Sequence, residues 1–308
     1  MSRNAKVLHC DIEVPGDFEL VSGLSYLSKA PGVVFESVTL DRFRKAFYLS
    51  ESEVPVLLSV YKTPAFPSVR VELYGETISD EDLIGVRERV EECFYVSPAP
   101  SGLFDLFIRD KILGSLYSRY GLIRPFLYFE PFEAFLWAIA AQQVNVGFAK
   151  TLLFRLHGAL GGKHLEFEGV TYPLSPNPRE VASLSMEELR ECKFSGTKAK
   201  ALLEISRAVA DKEIDFSVMK LLDYDTVMAS FTKYHGVGRW TAEYVLLRGL
   251  GFDDVFPSGD LGLRKAVANL YGLEGHFAEE TIRSMSSSWS PYRGWISQLL
   301  FYHLNASR

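Results

Sequence analysis

The chain has 308 residues, with 33 basic and 39 acidic side chains; 47% of residues are hydrophobic and 23% charged. These proportions exclude a disordered or collagen-like chain, and the length suits two domains, or one large one, around a sizeable core. No apolar run reaches the ~18 residues that a membrane-spanning helix needs, and Cys10, Cys93 and Cys192 stand too far apart for a disulfide framework or a four-cysteine metal site. The first ten residues lack the apolar stretch of a signal peptide, so a cytoplasmic protein is expected. The net charge of −6 is unevenly placed: residues 1–100 hold 16 acidic and 10 basic side chains, and the rest hold 23 of each. Overall acidity speaks to solubility and non-specific association, and leaves local anion sites in the later part open.

In chain order, short β-branched and aromatic runs predict strands at residues 33–40, 46–49, 54–61 and 68–74. Their short connections predict an antiparallel meander, with Pro55 at an edge or a strand start. A helix follows, with Ser79 and Asp82 spaced as a capping box and Leu83, Val86, Val90 and Phe94 on one face. Residues 96–102, with two prolines and a glycine, read as a linker. From there the apolar period is 3.6. Phe104, Phe107, Ile108 and Leu116 predict one amphipathic helix, and Phe132, Phe135, Leu136 and Ile139 another. Ser185 begins a capping box for a helix reaching Cys192, and Thr197 can cap the next, from Lys198 to about Ala210. Further helices are expected at about 221–234, 240–250, 261–271, 277–287 and 292–304. The expected class is α+β: an antiparallel sheet domain with a helix over residues 1–100, then an all-helical region of two lobes over 101–308.

The chemically informative stretch is Tyr234-His-Gly-Val-Gly-Arg-Trp-Thr-Ala-Glu-Tyr244. Glycines 236 and 238 let the chain reverse tightly and let its backbone approach another molecule. The helix that follows starts with free N–H groups, a backbone-built site for a phosphate. The plain alternative is a helical hairpin whose glycines only make a turn. Further on, Asp254-Val-Phe-Pro-Ser-Gly-Asp260 places a carboxylate where the next helix begins, where capping N–H groups and the helix dipole favour the charged form. Asp260 can be only an N-cap, or a reactive carboxylate held ionised. Asp253 and Asp254 read as solvated.

This combination resembles the helix-hairpin-helix base-excision DNA glycosylases, in detail the AlkA-type 3-methyladenine DNA glycosylase II branch. Residues 235–244 look like the family hairpin, 255–260 like its catalytic loop, 132–146 like its helix and wedge loop, and 193–202 like a further family turn. The resemblance covers about 103–308 well and residues 1–100 in outline. Two positions depart from the family pattern. His235 stands where a proline is usual. Trp240 stands where bifunctional relatives carry a Schiff-base lysine, which implies the monofunctional branch.

The resemblance implies a glycosylase that flips alkylated bases of the 3-methyladenine and 7-methylguanine type out of duplex DNA and hydrolyses the N-glycosidic bond. Asp260 would stabilise the positive charge that builds on the sugar, with its pKa depressed by capping. Trp240 and Tyr244, four apart on one helix face, and Phe301 would form the base pocket. Gln143 would wedge the duplex. Gly236, Gly238, Arg239, Gly196, Thr197 and Lys198 would hold the DNA backbone. A monovalent cation at the hairpin carbonyls near Gly236 and Gly238 is permitted; no cofactor is implied. The expected partner is double-stranded DNA with damaged bases, with no membrane contact and a monomeric state. The alternatives are a glycosylase for deaminated or oxidised purines, and a non-catalytic hairpin that binds DNA.

Overall fold

The computed structural model describes residues 5–49, 54–63, 67–273 and 278–306. Its first part is a five-stranded sheet of β1 (Lys6–Glu13), β2 (Glu36–Val38), β3 (Arg42–Tyr48), β4 (Pro55–Lys62) and β5 (Ser68–Gly75), with α1 (Leu20–Leu27) and α2 (Asp80–Cys93). The strand order is β1-β5-β4-β3-β2, and every pairing is antiparallel. The meander from β2 to β5 follows the sequence expectation. Strand β1 and helix α1 are additions to it. β1 is an edge strand with little burial, so it has no apolar alternation to betray it. α1 contains Gly23 and two serines, poor helix formers; it exists because Leu20, Leu24, Tyr26 and Leu27 bury against the sheet. Pro55 opens β4, a central strand, where its missing N–H interrupts no interior ladder bond.

On β5, Val69, Val71 and Leu73 face the core that α1 and α2 cover, while the residues between them are half-buried. α2 starts with both capping-box bonds: the Asp82 N–H reaches Ser79 Oγ at 3.2 Å and the Ser79 N–H reaches Asp82 Oδ2 at 2.8 Å.

The region after the linker is mostly helical, in two lobes with separate cores. One joins α3 (Ser101–Arg109) and α4 (Lys111–Tyr120) to α13 (Leu261–Leu270), α14 (Glu279–Ser286) and α15 (Arg293–Ala306). The other joins α5 (Phe132–Ala141), α6 (Val146–Ala159), α7 (Pro178–Ala182), α8 (Met186–Glu191), α9 (Gly196–Ala210), α10 (Phe216–Met219), α11 (Tyr224–Thr232) and α12 (Arg239–Val245). The chain crosses between the lobes after α12, through a π-helical turn at Leu246–Leu250 and the loop that ends at Asp260.

Three expectations need correction. The single helix through 104–116 is two, because Asp110 ends α3 and caps α4, accepting from the Ile112 and Leu113 N–H groups at 3.0 and 3.1 Å; Ile108 is left exposed. The cap of α9 is Ser195, whose Oγ accepts from the Lys198 N–H, and Thr197 lies inside the first turn. The helical region also carries a two-stranded hairpin, β6 (His164–Phe167) and β7 (Val170–Pro173). Glu168 and Gly169 both take positive φ between its strands, the geometry of a tight two-residue turn. Its Leu165 and Tyr172 pack on Ala46 and Leu57 of the sheet, and the Arg44 guanidinium donates to Tyr172 Oη. The start expected for α14 at residue 277 lies outside the described residues.

Candidate active site

The hairpin is built by α11, α12 and the glycine turn between them. Gly236 has φ +79°, and a Cβ there would come within 3.0 Å of Thr197 Cγ2 and 3.3 Å of Thr197 O. Only glycine lets this turn lie against the start of α9. Buried Val237 anchors the turn in the core. Gly238 is the N-cap of α12, so no side chain occupies the leading N–H groups of that helix. Gly196, Thr197, Gly236 and Gly238 thus share one region of the surface. Arg239 is half-exposed beside them, its Nε donating to Glu243 Oε1 at 3.2 Å.

Lys198 differs from its expected place. Its side chain is 7% exposed, its Nζ donates to Ala140 O at 2.8 Å, and its N–H bonds Ser195 Oγ. Burial lowers its pKa. It ties α9 to α5 and directs no charge outward.

Sequence reasoning missed Gln142. Its Nε2 donates to Gly236 O and to Thr241 Oγ1, each at 2.9 Å. One side chain therefore fastens the end of α5 to both the hairpin turn and α12. The signal was available only as a polar residue at the end of an apolar helix. Because Gly236 O already accepts this bond, less of the carbonyl is free for the monovalent cation that the sequence permits there. Among the described residues, no cluster of three or more His, Cys, Asp or Glu could hold a metal ion. The adjacent Gln143 is exposed with φ +54°, a left-handed backbone that projects it from the corner between α5 and α6. Asn145 caps α6 as expected, accepting from the Phe148 N–H at 2.9 Å.

Asp260 is held from two sides. Its Oδ1 accepts from the Leu263 N–H at 3.0 Å, as the N-cap of α13, and its Oδ2 accepts from the Trp240 indole N–H at 3.3 Å. A Cβ on Gly259 would lie 3.1 Å from Trp240 Cβ, so the glycine lets the loop rest on the tryptophan. The Trp240 and Tyr244 ring centroids are 5.9 Å apart at 43°, and Tyr244 Oη is 3.2 Å from Tyr128 Oη. Asp260, Trp240 and Tyr244 therefore form one connected group between the lobes. The expected pKa direction is corrected: burial raises Asp260 above the usual aspartate range, and the Leu263 N–H and the indole N–H oppose that rise without cancelling it.

Phe301 packs against the same core as Tyr244 and Trp240. It is partly buried where all three large cores meet. Asp253 and Asp254 are open to solvent as expected, and are also tied by hydrogen bonds. Asp253 accepts from the Trp295 indole at 3.2 Å, and Asp254 takes two bonds from Arg293 at 2.6 and 3.0 Å. Both brace the loop against α15. A second brace went unnoticed in the sequence: Glu243, 1% exposed, collects Tyr224 Oη, Arg239 and both terminal nitrogens of Arg283. Only Arg239, four residues before it, is visible as a partner in the sequence.

Comparison with known proteins places this arrangement. A Bacillus subtilis protein named DNA-3-methyladenine glycosylase is 23% identical over 297 residues, covering 94% of each chain. The Bacillus subtilis protein YfjP is 32% identical over 163 residues, a match that spans 53% of this chain and about half, 55%, of YfjP. Among solved structures, the 3-methyladenine DNA glycosylase of Archaeoglobus fulgidus superposes with a TM-score of 0.81 at 26% identity, over 96% of this chain and 98% of that one. The family model for the HhH-GPD superfamily base excision DNA repair protein matches residues 136–291, from α5 through the hairpin, Asp260 and α14. That match takes in half of the chain and all of the hairpin and its aspartate, so the chain belongs to the HhH-GPD superfamily of base excision DNA repair proteins.

Proposed function

We propose that this protein is a monofunctional DNA glycosylase that acts as a monomer on alkylated bases, of the 3-methyladenine and 7-methylguanine type, in duplex DNA. The observation that carries the reading is Asp260 held between the Trp240 indole and the first N–H groups of α13. A fixed carboxylate at that point faces the charge that develops on the deoxyribose as the base departs, and can orient the attacking water. Trp240 and Tyr244 offer electron-rich ring faces to a cationic base, which is already a good leaving group. No lysine follows Arg239, so no Schiff base forms there.

The target base leaves the stack at a cost of a few kcal/mol, and Gln143, projecting from its corner, fills the gap. Gly196, Thr197, Gly236, Gly238 and Arg239 hold the backbone on either side of the flipped nucleotide. These contacts set the protein on the duplex without reading its sequence, so affinity falls with salt. Among the described residues no helix is long and apolar enough to cross a membrane.

The test is base release from methylated duplex DNA, wild type beside Asp260→Asn. The substitution keeps the size and much of the cap but removes the charge. Release of 3-methyladenine or 7-methylguanine is expected from the wild type, with a loss of about 10²–10³-fold in the variant, the range seen when one electrostatic stabiliser is removed. Equal release by both proteins would remove Asp260 from the mechanism. Release only from duplexes carrying deaminated or oxidised purines would replace the substrate class.

A further inference from the structure

We infer that Tyr128 is a positioning residue for the reaction, clamped between Gly32 of the sheet domain and the buried cation of Arg248, and that through it the sheet domain orients Tyr244. The inference rests on the proposed place of Tyr244 in the base pocket. Tyr128 is 2% exposed, and its hydroxyl meets Tyr244 Oη at 3.2 Å. A hydroxyl is costly in a core unless it makes a bond that matters there, and a phenylalanine would pack as well. This hydroxyl also excludes a side chain from the neighbouring segment. A Cβ on Gly32 would run into Tyr128 Oη, and would lie 3.2 Å from its Cζ and 3.3 Å from Trp137 Cδ2. Gly32 does not have a positive φ, so its backbone does not require glycine; the phenol does.

The backbone of Tyr128 is fixed from both sides of the molecule. Its N–H donates to Arg248 O at 2.9 Å, and its carbonyl accepts from the Arg89 guanidinium of α2 at 2.5 Å. Arg248 itself is unusual. It is 4% exposed and forms no ion pair with a carboxylate among the described residues; its one side-chain hydrogen bond is from Nη1 to Gln298 Oε1, at 2.6 Å. Its guanidinium carbon lies 5.8, 5.7 and 5.8 Å from the ring centres of Tyr26, Phe126 and Tyr128, within cation–π reach. Tyr26 comes from α1. A cation among ring faces, one of them Tyr128, holds that ring in place without a directional salt bridge. Tyr128 then passes the constraint to Tyr244 through the hydroxyl pair, and Tyr244 stands beside Trp240 and Asp260. The sheet domain thus takes part in shaping the pocket as well as in covering a core.

The test compares wild type, Gly32→Ala, Tyr128→Phe and the double variant, measuring kcat and KM for base release from methylated duplex DNA well below each Tm. Each single variant is expected to lose about tenfold in kcat, the size of one lost orienting hydrogen bond, with KM unchanged because backbone contacts dominate it. The double variant is expected to be no worse than Tyr128→Phe alone, because removing the phenol oxygen makes room for the new Cβ. Variants that lower Tm but keep wild-type kcat would make Tyr128 a packing residue and overturn the inference. Losses that add in the double variant would overturn the Gly32 contact. Failure of the wild type to release any base would instead defeat the proposed function, and this inference with it.

Discussion

The Asp260 carboxylate meets opposed demands. Burial raises its pKa, while the cap and the Trp240 indole stabilise the anion that the proposed mechanism uses. Base release should therefore show an acid limb whose midpoint lies above the ordinary aspartate range, since activity is lost as the carboxylate protonates. Trp240→Phe removes an N–H that favours the charged form, so it should move that limb to higher pH as well as weaken base binding. A pH–rate profile of wild type and variant checks this; an acid limb at or below the usual aspartate value would contradict the assignment. The position of Asp260 was legible, because Pro257 and Gly259 announce a turn before a helix. The direction of its pKa was not, because the burial that raises it is made by packing between distant parts of the chain and arrives only by folding.

Among the elements, the hairpin depends on side chains outside it. Gly236→Ala would force a left-handed backbone on a residue with a Cβ and press that atom onto Thr197, costing at least about 1–2 kcal/mol from the backbone alone. Thermal melting should show the loss, and titration of a fluorescent duplex should show weaker binding. Gln142→Ala would leave Gly236 O and Thr241 Oγ1 without their donor, costing about 1–3 kcal/mol. It should also loosen Gln143 relative to the turn, so base release should fall more than duplex binding. If instead both properties stay at wild-type levels, the bridge is dispensable. The helices around these turns were readable from their 3.6-residue period. The break at Asp110 was not, since the apolar spacing runs on through it and only the carboxylate's capping bonds decide it.

At the scale of the whole molecule, the sheet meets α5 through a buried charge cluster. Lys45 is fully buried, 2.5 Å from Glu133, 3.6 Å from Glu36 and 3.8 Å from Glu130, which also accepts from Ser175 Oγ. Burial would lower the Lys45 pKa, but the three carboxylates raise it, so it stays charged. One cation cannot balance three anions packed this closely, two of which, Glu36 and Glu133, are shut off from water. Burial pushes Glu36 up to about 8, and Glu130, with its side chain about a third exposed, moves in the same direction. A carboxyl whose folded pKa is raised contributes stability that is complete below its unfolded value, near 4.5, and is lost as pH rises through the folded one. Thermal stability should therefore decline as pH rises from about 4.5 to 8. Glu36→Gln should flatten that decline, as melting curves across the range would show. A slope that is unchanged in the variant would remove Glu36 as its source.

The sequence by itself determined the local features: the meander, the period of the helices, the capping boxes at Ser79 and Ser185, the glycine turn and the aspartate at a helix start. Each depends on neighbours a few residues away, which is the range over which spacing and turn chemistry act. Only the tertiary structure decided the rest. It buried Lys198 against Ala140, packed Phe301 where the cores meet and tied Gln142 to the hairpin. It also set Gly32 under Tyr128 and placed Arg248 among aromatic rings. These pairings join residues tens to hundreds of positions apart, and solvent exclusion at those contacts, absent from any local pattern, fixes their charge and geometry.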